Sequence, residues 1–244
     1  MRGTLCWILG CSLSLVAGSA PLARAQEVDV SAKITMIPQK PSHETSQKDS
    51  LSGADVVVWL TPLRSGFVRA AAPPHSAYRL VQKNKMFSPH LLVVPTGTNV
   101  EFPNEDPFFH NVFSLFNGKR FDLGLYESGS TRSVRFDREG VSYIFCNIHP
   151  EMGAIVLSLD TPYFAVSTPN GGLVIHHVPQ GSYRLNVWSE TAQPTKPSDA
   201  ERIVQVGSEP VQLGEIALQR SASPLVKHKN KFGEEYRPNR DPHY

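Results

Sequence analysis

Ser142-Tyr143-Ile144-Phe145-Cys146-Asn147-Ile148-His149-Pro150-Glu151-Met152 reads as a β-strand that runs into a short loop. Its first four residues are mostly branched or aromatic, the composition of a half-buried pleated strand. Ile155-Val156-Leu157-Ser158-Leu159 then takes up the next strand, so Cys146, His149 and Met152 share one hairpin-like turn. A thiolate, an imidazole and a thioether spaced two residues apart are soft donors facing one point. A second imidazole is available in Asp106-Pro107-Phe108-Phe109-His110-Asn111-Val112, where His110 follows a turn and opens another apolar run. Such a site exists only when folding brings that distant strand against the loop.

Working outward, Asp55-Val56-Val57-Val58-Trp59-Leu60, Leu91-Leu92-Val93-Val94, Asn99-Val100-Glu101-Phe102 and Ser133-Val134-Arg135-Phe136 repeat the same strand composition. Pro95-Thr96-Gly97, Pro103-Asn104-Glu105-Asp106, Glu127-Ser128-Gly129 and Arg138-Glu139-Gly140 stand between strands as turns. With no long stretch of helical period, the chain is expected to be all-β and built as sandwiches. Asn104 and Asp106 read as turn formers rather than catalysts.

The first 25 residues look like a secretory leader: Arg2 as a basic start, an apolar stretch from Leu5 to Ala17, and Ala23-Arg24-Ala25 as a small-x-small cleavage site. The protein is therefore expected to be periplasmic or secreted after cleavage near Ala25, with no membrane span, because nothing downstream approaches eighteen consecutive apolar residues. Removal of Arg2 and Arg24 leaves basic and acidic residues balanced at 22 each, which speaks against nucleic acid as a partner. It also removes Cys6 and Cys11, so one thiol remains in a compartment where cysteines are normally paired. A buried small hydrophobe is the bland account of Cys146; His149 and Met152 in the same loop favour a ligand.

Two imidazoles, a thiolate and a weak thioether suit copper, whereas structural zinc prefers four Cys or His ligands. Phe145 and Asn147 flank the cysteine where a multicopper oxidase carries histidines, and a dinuclear centre needs a second cysteine, so one mononuclear copper is expected. A Cys-His nucleophile lacks an orienting group and an oxyanion loop, and no catalytic residue is assigned. Met86, His90 and the pair His176-His177 read as packing or surface groups, since no converging spacing supports them.

From about Ser76 to Leu159 the chain resembles the cupredoxin family. Phe87-Ser88-Pro89, Val94 through Phe102, Asn104, His110-Asn111-Val112, Gly140 through Cys146, His149 and Met152 carry that resemblance, and the gaps of two residues match the short loop of amicyanin. It implies a Greek-key β-sandwich with His110, Cys146, His149 and Met152 as copper ligands. It also implies a hydrogen bond from the Asn111 backbone N–H to the Cys146 sulfur and electron exchange through the imidazole edge of His149. Phe108 and Phe109 depart from the family, which often has Pro before the first ligand histidine.

A second module is expected outside that segment. Pro169-Asn170-Gly171-Gly172-Leu173-Val174-Ile175 and Val178-Pro179-Gln180-Gly181-Ser182-Tyr183-Arg184-Leu185-Asn186-Val187 resemble a smaller carboxypeptidase regulatory-like, transthyretin-like sandwich. Gly53-Ala54-Asp55-Val56-Val57-Val58 suits the early strands of that module, although these strands could instead extend the copper-binding sheet. The resulting division is a leader over 1–25, N-terminal strands over 26–65, a copper-binding domain over 76–160, a second sandwich over 161–220 and a disordered tail over 221–244. Pro38 to Ser52 and Gly66 to Ser76 are expected to be connecting loops.

The combination is similar to exported bacterial proteins of the methylamine-utilisation-like type. It implies a non-enzymatic blue copper protein that carries single electrons between redox partner proteins. Two other readings stand beside it: a copper carrier or buffer, and a cell-envelope interaction protein with a structural copper.

Overall fold

The computed structural model describes residues 26–37, 55–64, 78–115, 118–221 and 228–236. The expected leader and the two connecting loops lie outside the described residues. The chain is all-β as its composition dictates: the described residues form seventeen strands and one four-residue helix, Pro197–Ala200.

The segment between residues 78 and 159 forms one sandwich. Its larger sheet has the order Leu91–Pro95, Gly153–Leu159, Gly140–Phe145, His110–Ser114, Phe121–Tyr126. The first pair is parallel and the others antiparallel. Facing it are the antiparallel pair Thr98–Pro103 with Thr131–Phe136 and the hairpin Val81–Lys83 with Met86–Ser88. Alternation along these strands sends Phe102, Val112, Tyr126, Phe136, Ile144 and Val156 into one buried cluster, which also holds Cys146 and Met152. The loop from Cys146 to Met152 therefore caps a packed core and inherits its rigidity.

A second sandwich takes its strands from both ends of the chain. Glu27–Ile37 lies between Gly172–Pro179, antiparallel to it, and Val211–Arg220, parallel to it; Ala192–Pro194 completes that sheet. The opposing sheet has Val57–Pro62 between Phe164–Val166 and Gly181–Trp188, with Ile203–Val206 on the far edge. Val30, Leu60, Tyr183, Leu185, Ile216 and Leu218 fill the space between the sheets. Strands on either side of residues 78–159 thus pair with one another.

One turn in this sandwich tolerates only glycine. Gly171 has φ +81, and a Cβ there would sit 2.2 Å from the Ile34 carbonyl oxygen. That close approach lets Ile34 N–H donate to the Gly171 carbonyl at 2.7 Å. Gly171→Ala is expected to lower stability by about 2–3 kcal/mol, from the left-handed backbone and the clash together; urea unfolding followed by circular dichroism measures it.

The two sandwiches meet across a third cluster, where Val57, Leu157 and Leu159 are buried with Trp59, Phe164 and Trp188 packed against them. At its edge His90 Nε2 lies 2.6 Å from Glu190 Oε2. The Glu190 hydrogen bond raises the His90 pKa above its ordinary 6.5, against a smaller opposing effect of burial. Because the folded value is the higher one, the stabilisation is complete below about pH 6.5 and is lost as pH rises through that raised value. The denaturation midpoint is expected to fall as pH rises above about 6.5, and His90→Gln to flatten that part of the profile.

Residues 228–236, within the stretch expected to be a tail, lie against the loop that follows Phe145. This stretch has little apolar surface to bury, but it satisfies polar groups of that loop: Tyr236 Oη donates to the Cys146 carbonyl at 2.9 Å, and Lys231 N–H donates to Asn147 Oδ1 at 3.0 Å. Residues 222–227 and 237–244 lie outside the described residues. Among the described residues no helix is long and apolar enough to cross a membrane.

Candidate metal centre

Strand register explains why His110 lies beside Cys146 and His149 at one end of the sandwich. Phe145 pairs with Gly153, which closes residues 146–152 into a short connection. Inside it, Cys146 N–H donates to the Met152 carbonyl at 3.3 Å and Met152 N–H to the His149 carbonyl at 3.1 Å. On the other side Phe145 pairs with Phe113 in an antiparallel ladder. Continuing that register carries Asn111 and His110 alongside the loop.

His110 Nδ1 and His149 Nδ1 lie 3.7 Å and 3.6 Å from Cys146 Sγ, and 3.2 Å from each other. Among the described residues this is the one group of three or more His, Cys, Asp or Glu side chains whose ligand atoms converge. Metal–nitrogen bonds of about 2.0 Å and metal–sulfur bonds of about 2.3 Å around one ion require edges of this size. His110, Cys146 and Met152 are fully buried and His149 is partly exposed. The triangle fits a metal, with one ligand edge toward solvent.

The orientation of His110 is set by a carboxylate. Its Nε2 lies 2.8 Å from Asp106 Oδ2, and since a carboxylate only accepts, Nε2 carries the proton and Nδ1 presents a lone pair to the centre. Asp106 is held in turn by the backbone N–H groups of Asn84 at 2.6 Å and Lys85 at 2.9 Å. Burial pushes its pKa up, but the Lys85, His110 and Asn84 hydrogen bonds outweigh that and hold it below the usual carboxylate range.

Burial dominates at the two loop donors as well. It pushes the Cys146 thiol up, while backbone N–H groups of Asn111, Ile148 and His149 directed at the sulfur pull the other way. The His149 pKa is lowered first by burial and then by the nearby His110 and Lys85. A neutral imidazole and a buried sulfur cradled by N–H dipoles are donors suited to a metal ion, which removes a thiol proton outright when it coordinates.

No family model matches the chain, and no curated protein matches it. Similar solved structures include a purple cupredoxin from Nitrosopumilus maritimus, 26% identical over 34% of this chain and 100% of that one, with a TM-score of 0.31. A reduced mutant of amicyanin is 18% identical over 38% of this chain and 100% of its own, TM-score 0.32. A copper-containing nitrite reductase from Thermus scotoductus is 22% identical over 52% of this chain and 28% of its own, TM-score 0.34.

Two residues of the site escaped the sequence. Asn104 is the turn former it was expected to be, its Oδ1 accepting from Asp106 N–H at 3.1 Å, but Asp106 turns inward onto His110. Phe108 packs against both imidazoles, with ring centroids 5.2 Å from His110 and 5.7 Å from His149. A carboxylate four residues before a ligand histidine is the signal that was available for the first. His90, His176 and His177 stand apart from the centre, beside the carboxylates of Glu190, Asp29 and Glu27.

Proposed function

We propose that the protein is an exported, non-enzymatic carrier of single electrons that uses one copper ion, which His110, Cys146, His149 and Met152 would hold. The observation that carries this reading is the buried triangle of two imidazole nitrogens and a sulfur with edges of 3.2–3.7 Å. That donor set selects copper, which supplies a one-electron couple when bound.

The protein's own part is to hold the donors still and dry. Asp106 fixes the tautomer of His110, Phe108 limits rotation of both rings, and the N–H groups of Asn111, Ile148 and His149 stabilise negative charge on the sulfur. His149, beside the exposed Ile148, offers the edge through which a redox partner protein exchanges the electron.

Copper titration of the purified protein tests this reading. One equivalent of Cu(II) is expected to give an intense thiolate-to-copper band that bleaches on reduction and returns on oxidation. Tight Cu(I) binding without a stable oxidised form would favour a copper carrier. Absence of specific binding of either ion would overturn the copper reading and favour an interaction module without bound copper.

A further inference from the structure

We propose that residues 228–236 are an in-chain clasp that positions the ligand loop, with His228 and Tyr236 as its positioning residues; its bearing on copper rests on the reading of that loop as a metal site. The His228 ring stacks on Phe145, the residue before the cysteine, with centroids 4.0 Å apart and 23° between planes. Its Nε2 donates to the Pro150 carbonyl at 2.7 Å. Tyr236 Oη donates to the Cys146 carbonyl at 2.9 Å and lies 3.2 Å from His228 Nδ1. Lys231 N–H donates to Asn147 Oδ1 at 3.0 Å. One short segment thus grips the loop at residues 145, 146, 147 and 150.

The grip reaches the other side of the centre as well. Lys231 Nζ pairs with Asp122 Oδ2 at 2.6 Å, and Asp122 Oδ1 accepts from Asn111 Nδ2 at 2.7 Å. Asn111 is the residue whose backbone N–H faces the Cys146 sulfur. The segment is itself shaped by Asn230, whose Oδ1 accepts from the N–H groups of Phe232 at 3.0 Å and Glu234 at 2.9 Å. A pre-formed turn tethered in the same chain docks at high effective concentration, so several individually weak contacts act together.

A metal enclosed by the loop leaves only when the loop opens, and the clasp opposes that opening. Hydrogen exchange of the metal-free full-length protein tests it without copper. In the double variant His228→Ala/Tyr236→Phe, the Cys146 and Met152 amides are expected to exchange roughly tenfold faster, the loss of two hydrogen bonds and a ring stack, while core amides keep their rates. Transfer of Cu(I) from the loaded protein to bicinchoninate is expected to accelerate by a similar factor. His228→Phe, which keeps the stack without the Pro150 bond, is expected to restore part of the protection. Unchanged loop exchange in the double variant overturns the clasp. Faster loop exchange in a protein that binds no copper upholds the clasp and instead removes the copper reading.

Discussion

Asp106→Ala is expected to weaken copper binding by about ten- to hundredfold, the usual cost of removing a partner that orients a ligand histidine. The Asp106 carboxylate is the acceptor 2.8 Å from His110 Nε2 in a fully buried pocket. Without it the Nε2–H has nothing to donate to in that position, and the ring gains freedom to adopt the other tautomer, which takes the lone pair away from the centre. The same carboxylate anchors the Asn84 and Lys85 N–H groups, so its loss also loosens the turn that abuts Phe108. Asp106→Asn keeps an acceptor without the charge and is expected to fall between the two. Competition with a chelator of known strength measures the series; equal affinity in all three proteins would show that the carboxylate does not orient the ligand.

Phe102→Ala is expected to destabilise the sandwich that carries the centre by about 3–5 kcal/mol. Phe102 is fully buried between the two sheets, with the Phe121 ring centroid 5.8 Å from its own. Its carbonyl accepts from the buried Tyr126 hydroxyl at 2.9 Å, and the Gln82 amide donates to that hydroxyl in turn. Burial raises the Tyr126 pKa, keeping the phenol protonated and able to donate. A cavity beneath this network removes dispersion contacts that no small shift recovers. Denaturant unfolding reads the loss directly, and Phe102→Leu, which leaves a smaller void, is expected to retain more than half of the stability that Ala forfeits.

Much of the site was legible because it is local. Cys146, His149 and Met152 sit within one turn, and their spacing alone announces converging donors. His110 was legible as a residue type at the start of an apolar run, and the pairing of Phe145 with Phe113 supplies its distance. The strands with branched and aromatic residues stand where the composition put them, give or take two residues at their ends. Phe121–Tyr126 escaped notice because Asp122 and Gly124 are poor strand formers, and its burial departs from simple alternation where Leu125 is exposed and Tyr126 buried; it pairs with His110–Ser114 through a register shift that composition does not encode. The inward turn of Asp106 depends on where a neighbouring hairpin offers its N–H groups. Residues 228–236 were invisible for a different reason. Apart from the His228 ring stacked on Phe145, their contacts are polar, directed at loop carbonyls and an amide, and hydrophobic patterning carries no trace of such bonds.

Whether His110, Cys146 and His149 bind one copper ion together is read from X-ray absorption at the copper edge of the singly loaded protein. One short sulfur and two imidazole nitrogens are expected in the first coordination sphere, with the sulfur lost in Cys146→Ser and one imidazole lost in His110→Gly. A sphere of oxygen and nitrogen alone, unchanged by Cys146→Ser, would contradict that shared binding.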